Sequence, residues 1–220
     1  MKYLYKLFPM FLSLVIILSA CASKTVPEKV SSEKISVMAT LFPQYDFARQ
    51  IAGEYADVTL LLPPGAESHS FEPSPNDMIQ ISQSQLFLYT GDRMEPWVPK
   101  MLAGFDDSDF LAVDVSQGIS LEPEGNHSEH GDHAGFDPHI WTSPVKAKQM
   151  VKNITEALCQ ADPQHESAYE KNSSAYLEKL DQLDSNFREI ARNGKRQDFV
   201  FGSRFACRYF AEEYNLQPLS

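Results

Sequence analysis

A chain of 220 residues, 43% apolar and 22% charged, can bury one good core and is too ordinary in composition for global disorder. Its formal net charge of −11 argues against nucleic acid or an anionic membrane surface as the partner, and would suit a cationic ligand.

The first residues read as an export signal. Lys2 and Lys6 precede an apolar stretch, residues 7–18, that is too short to span a bilayer comfortably, and small residues Ser19 and Ala20 lead into Cys21. This stretch resembles a bacterial lipobox; the alternative is an ordinary signal peptide with a coincidental cysteine. The expectation is a lipoprotein signal peptide over residues 1–20, acylation of Cys21, a polar tether over 21–34, and an extracytoplasmic location with a lipid anchor in the cell membrane.

Strands are predicted at 35–40, 57–62, 86–90 and 110–115, and helices at 43–52, 75–84 and 95–102. The run at 57–62 is read as a continuous apolar strand of the kind buried on both faces of a parallel sheet. Strands alternating with helices indicate an α/β fold, here a doubly wound parallel-sheet lobe over residues 35–162.

Two loops in that lobe share a pattern. In residues 63–77, PPGAESHSFEPSPND, Ser74 is placed to cap a helix, Pro75 suits its first position and Asp77 adds charge to its first turn. His69 lies five residues before the cap. In residues 136–144, FDPHIWTSP, His139 lies four residues before a second Ser-Pro helix start, Ser143-Pro144. Open α/β sheets collect ligands in loops at the carboxyl ends of strands, so the two histidines form a candidate metal pair. The bland reading of each is a surface or capping residue. Asp137 either shapes its turn or accepts a hydrogen bond from His139. Glu67 and Glu72 flank His69 as further oxygen donors, and Trp141 reads as packing.

Between residues 116 and 136 the strand-helix pattern dissolves. Residues 125–135, GNHSEHGDHAG, carry His127, His130 and His133 with Glu129 and Asp132. Such an insert captures metal weakly and transiently, or is a polar tract with chance histidines. Helices follow at 144–160 and from Asp162-Pro163 to about 192, where Asn193-Gly194 is a stop signal. Tyr169, Tyr176, Leu180, Leu183, Phe187 and Ile190 give the second helix one apolar stripe. At about 40 Å it is long for a small domain, so residues 163–193 read as a linker helix between two bodies. A strand at 197–201 and a helix at 204–214 cannot bury a core of their own. Residues 194–220 are therefore read as the cut-off start of a second α/β lobe. Cys159 and Cys207 are expected to be buried thiols and not a disulfide, and His165 to face solvent.

The order of a lipobox, LFPQYDFARQIAG, VTLLLPPGAESHSFEPSPND, MEPWVPKML, a His-rich insert, DPHIWTSPVKAKQM and a long helix resembles the zinc/manganese solute-binding lipoproteins of metal ABC importers, the cluster A-I proteins. The resemblance covers about residues 35–216. It implies two α/β lobes joined by one rigid helix, with the metal held in the cleft between them. It carries the first two histidine ligands onto His69 and His139. It also implies Zn2+ as transported ligand, with Mn2+ as the alternative, because the insert sits where zinc-specific members carry a longer histidine loop. A permease and an ATPase are the implied partners, and no enzymatic activity is implied. The family's third ligand, a histidine or glutamate five residues before Tyr209, falls on Arg204, whose guanidinium cannot ligate. The third ligand thus stays open, with Cys207 a soft donor nearby, and the fourth would lie past residue 220.

Two other functions use the same residues. A zinc hydrolase would pair two histidines and a carboxylate with an open position for water, but the chain has no His-Glu-x-x-His motif. A metal-binding surface adhesin would hold the ion structurally.

Overall fold

The computed structural model describes residues 34–105, 110–123, 136–202 and 206–219. The signal peptide, Cys21 and most of the tether, His127, His130, His133 and Arg204 lie outside the described residues. Among the described residues no helix is long and apolar enough to cross a membrane.

Four strands, β1 (Ile35–Ala39), β2 (Ala56–Leu60), β3 (Leu86–Tyr89) and β4 (Leu111–Asp114), form one fully parallel sheet in the order β2-β1-β3-β4. Side chains alternate across the two central strands and divide the core in two. Val37, Ala39, Leu86 and Leu88 face helices α1 (Phe42–Ala52), α4 (Pro144–Ala161) and α5 (Glu166–Asn193). Met38 and Phe87 face the opposite layer, made by Ile81 of α2 (Pro75–Ser82) and by Val98 and Met101 of α3 (Val98–Leu102). Helices on both faces make this the doubly wound α/β lobe that the strand-helix alternation predicts.

β2 departs from expectation. It is an edge strand in which Asp57 and Thr59 are exposed and Val58 and Leu60 half-buried. Within the predicted run 57–62 only Leu61 and Leu62 are buried, against Met38, since among the described residues no strand pairs with the outer edge of β2. α3 begins at Val98, three residues later than predicted.

α1 and α4 bury one face each. Phe47, Ala48, Ile51 and Ala52 line α1, and Ala147, Met150, Val151, Ile154 and Leu158 line α4, at the three-four spacing of an amphipathic helix. α5 spans 28 residues and its apolar stripe has two environments. Tyr169 and Leu180 are buried and Tyr176 packs on Phe47, whereas Leu183 is 40% and Ile190 66% exposed. Asn172 ties α5 to α1 through the Ile51 carbonyl at 2.9 Å. His165 does not face solvent. Its ring stacks on Tyr55 at 4.2 Å and its Nδ1 bonds Asp162, which also accepts from the Tyr169 hydroxyl.

Past α5, β5 (Asp198–Val200), α6 (Arg208–Glu213) and β6 (Gln217–Leu219) form a parallel β-α-β unit. β6 has no counterpart in the sequence reading, because Pro218 and its short length hide it. Phe210 of α6 and Tyr214 just after it pack on Phe187 of α5, with centroids 5.0 and 5.4 Å away. Cys159 and Cys207 are both free and half-buried.

Candidate metal centre

The carboxyl ends of the four strands surround one groove. Its volume is about 540 Å³, and it is lined by Leu41 and Phe42 after β1, Leu62 and His69 after β2, Met94 after β3 and His139 after β4, among others. The strand order reverses direction between β1 and β3, so the groove lies at a topological switch point, where open α/β sheets bind ligands.

Beneath it the ends of β1 and β3 are fastened by a buried polar cluster. The Thr40 hydroxyl donates to Glu95 Oε1 at 2.5 Å, the Thr90 amide donates to Oε2 at 3.0 Å, and Gln44 Nε2 reaches Thr40 and Thr90. Burial pushes the Glu95 carboxyl up from 4.5 to about 7; hydrogen bonds from Thr40 and Thr90 partly oppose this, and the Asp114 charge adds to it. This cluster is absent from the sequence reading. Its one signal is a glutamate beside Pro96 in an otherwise apolar stretch.

The His69 loop is built from neighbours in sequence. A 3₁₀ turn, Ser68–Ser70, carries the histidine, and Glu67 Oε1 accepts from the His69 amide at 3.2 Å. Gly65 turns the chain at φ 85°, a conformation a side chain would strain. The loop ends in a full capping box: Ser74 Oγ accepts from the Asp77 amide, and Asp77 Oδ2 accepts from the Ser74 amide. Phe71 anchors it edge-on against Trp97 at 5.3 Å.

His139 precedes a second 3₁₀ turn, Ile140–Thr142, and Ser143 caps α4 through the Lys146 amide. Buried Asp137 does both things open to it. Its Oδ1 accepts from the His139 amide at 2.9 Å and meets the ring Nδ1 at 2.6 Å. A carboxylate only accepts, so Nδ1 carries a proton, and in the neutral ring Nε2 is the nitrogen with the free lone pair.

The two rings come together. His69 and His139 centroids are 6.0 Å apart at 71°, and Trp141 stands 5.4 Å from His139, half-buried in the groove wall. Zinc at 2.0–2.1 Å from each of two nitrogens in tetrahedral array sets their ring centroids about 5.2 Å apart, a spacing near the 6.0 Å between these rings. Glu67 Oε1 lies 4.0 Å from His69 Nε2. Glu72 is exposed. Among the described residues no group of three or more His, Cys, Asp or Glu side chains is placed to hold a metal. Burial, and then the Asp137 charge, push the Cys207 thiol upward, away from the thiolate that ligates. The structure thus brings two nitrogen donors to one groove, half of a tetrahedral set.

The sequence reading also passes over Tyr209. Its ring is buried, its hydroxyl donates to the Asp137 carbonyl at 2.5 Å and it accepts from the Glu122 amide at 3.0 Å.

Comparison with known proteins supplies the context of this geometry. The family model described as ZnuA, zinc-uptake complex component A periplasmic, matches residues 37–220. The high-affinity zinc uptake system protein ZnuA of Bacillus subtilis (strain 168) is 36% identical over 215 residues, covering 93% of this chain and 66% of that protein. The crystal structure of Zn(II)-bound AdcA from Streptococcus pneumoniae aligns with a TM-score of 0.76 at 35% identity, over 85% of this chain and 39% of that one. A mutant of the laminin-binding adhesin Lmb from Streptococcus agalactiae aligns with a TM-score of 0.74 at 28% identity, over 84% of this chain and 67% of that one. The chain spans less than two thirds of the length of the first two.

Proposed function

The chain belongs to the zinc-uptake complex component A family, and from that premise we propose that it captures Zn2+ outside the cytoplasm, on His69 and His139, and delivers it to an ABC importer. The observation that carries this reading is the pair of imidazoles 6.0 Å apart over the switch point of the sheet. Imidazole nitrogen suits zinc, whereas Mn2+ favours oxygen-rich sites, so the donor pair supports Zn2+ over the Mn2+ alternative. Asp137 holds one imidazole in the tautomer a metal needs. Two ligands alone bind weakly; the third stays open, the resemblance puts the fourth past residue 220, and α5 serves as the connector between the two lobes.

The finer parts of the reading follow the same chemistry. Residues 1–20 direct export, acylated Cys21 holds the protein at the membrane, and His127, His130 and His133 serve as auxiliary captors. A permease and an ATPase receive the ion. No reaction is assigned to the chain.

His69→Ala and His139→Ala in the full-length protein are each expected to weaken zinc binding more than a hundredfold in a calorimetric titration. Unchanged affinity in either variant overturns the assignment. Binding also weakens as pH falls, because protons compete for both imidazoles. A deletion strain is expected to grow poorly when zinc is limiting.

Similarity to a laminin-binding adhesin favours a second reading, a surface adhesin with a structural metal. It predicts matrix binding by apo and holo forms and normal growth of the deletion strain under zinc limitation.

A further inference from the structure

Tyr209 sits in α6, 72 residues from Asp137, yet its hydroxyl touches the turn that holds His139. The two backbone groups it bonds, the Asp137 carbonyl and the Glu122 amide, belong to a narrow neck. There the Asp137 amide donates to the Glu122 carbonyl at 2.9 Å, and Pro123 and Phe136 form an antiparallel bridge. One hydroxyl thus joins both sides of the neck while its ring is 2% exposed. Two cations reinforce the contact: Lys146 Nζ lies 4.6 Å over the ring, and the Arg208 guanidinium donates to the Pro123 carbonyl. Burial pushes the phenol up to about 12, so it stays a donor at neutral pH. From Asp137 the path continues through Oδ1 to the His139 amide and Nδ1.

We propose that Tyr209 is a positioning residue for metal capture, which fixes the Asp137–His139 turn and so ties the aim of His139 Nε2 to the seating of the segment that follows α5. This rests on the reading that His69 and His139 hold the ion. A ring that only fills space needs no hydroxyl at this place. This hydroxyl bonds two backbone groups, one on each side of the neck, as a buried phenol's polar end does. Because Asp137 uses its carboxylate on the histidine and its carbonyl on the tyrosine, displacement of α6 rotates the turn and turns the imidazole with it.

The test uses Tyr209→Phe in the full-length protein, which keeps the ring and removes the hydroxyl, with Zn2+ as the probe. The expected result is a loss of zinc affinity of about tenfold, the scale of outer-shell partners of metal ligands, with a changed nitrogen-15 shift of the His139 ring. A lowered melting temperature with unchanged zinc affinity and ring shift would mark a purely structural tyrosine and overturn the proposal. Lys146→Met, which removes the cation over the ring and leaves the hydroxyl, is the second variant should the first fold poorly. It is expected to lose about threefold in affinity, and no change there would count against the proposal. His139→Ala run in parallel separates the two ideas. If it keeps wild-type affinity, the metal pair falls and this inference falls with it. If it abolishes binding while Tyr209→Phe binds normally, only the inference fails.

Discussion

The two histidine loops share a local closure and differ in what else holds them. The His69 loop is closed by contacts over two or three residues, Glu67 to His69 and Ser74 to Asp77, with one outside anchor in Trp97. The His139 loop has a similar local closure, Asp137 to His139 and Thr142 to His139, and is also held from a distance, by Glu122 across the neck and by Tyr209 of α6. A locally closed loop keeps its shape whatever the rest of the chain does. A loop held from afar responds to what holds it. On the function proposed above, one imidazole would be held by its own loop alone and the other would also answer to the seating of α6.

The contrast assumes a floor that both loops share, and the largest expected effect lies there. Glu95 is more basic folded than unfolded, so the folded state holds its proton between about pH 4.5 and 7 while the unfolded state has lost it. Stability is therefore full below pH 4.5 and falls as pH rises through 7, by about 3 kcal/mol from this group alone. Denaturant unfolding of the apoprotein across that range measures the slope, and Glu95→Gln is expected to flatten it. A slope that persists in the variant would place the proton elsewhere. Next comes the asymmetry itself. Asp137→Ala is expected to weaken zinc binding by about 10–100-fold, since it frees the ring it orients. Glu67→Ala, at an exposed carboxylate, is expected to cost at most about fivefold. Equal losses in two calorimetric titrations would erase the distinction between the loops.

What the sequence makes legible follows the same division. The capping box, the Ser-Pro helix starts and the strand-helix alternation are signals within a few residues, and they locate His69 and the sheet. Apolar periodicity likewise finds the long helix, though not that its stripe is covered at Tyr169 and bare at Ile190. The features that escape are those made by residues far apart. Glu95 meets Thr40 across 55 positions, Tyr209 meets Glu122 across 87, and His165 is sheltered by Tyr55. β2 departs from the reading because that reading passes over Asp57 and Thr59, whose alternation with Val58 and Leu60 marks a strand with one exposed face. Gly194 ends α5 in extended conformation, ψ 136°, and not in the left-handed turn a glycine stop suggests. The candidate pair is half legible: each histidine announces its loop, but only the structure shows that both line one groove.

The smallest expected effect gives the sharpest test of locality. Ser74 and Asp77 exchange two hydrogen bonds at the start of α2, with distances of 2.8 and 3.3 Å. α2 has only eight residues, so its first turn depends on that exchange more than a long helix would. Ser74→Ala removes the side-chain acceptor and leaves the Asp77 amide without its partner, at a cost of about 1 kcal/mol. Amide exchange in the first turn of α2 is then expected to quicken about fivefold, the equivalent of that energy through local opening. The Asp137 and His139 amides, whose partners lie elsewhere, are expected to keep their protection, and zinc affinity to fall less than in Asp137→Ala. If protection at Asp137 drops together with that at Asp77, the two loops open as one unit, and His69 is as dependent on distant structure as His139.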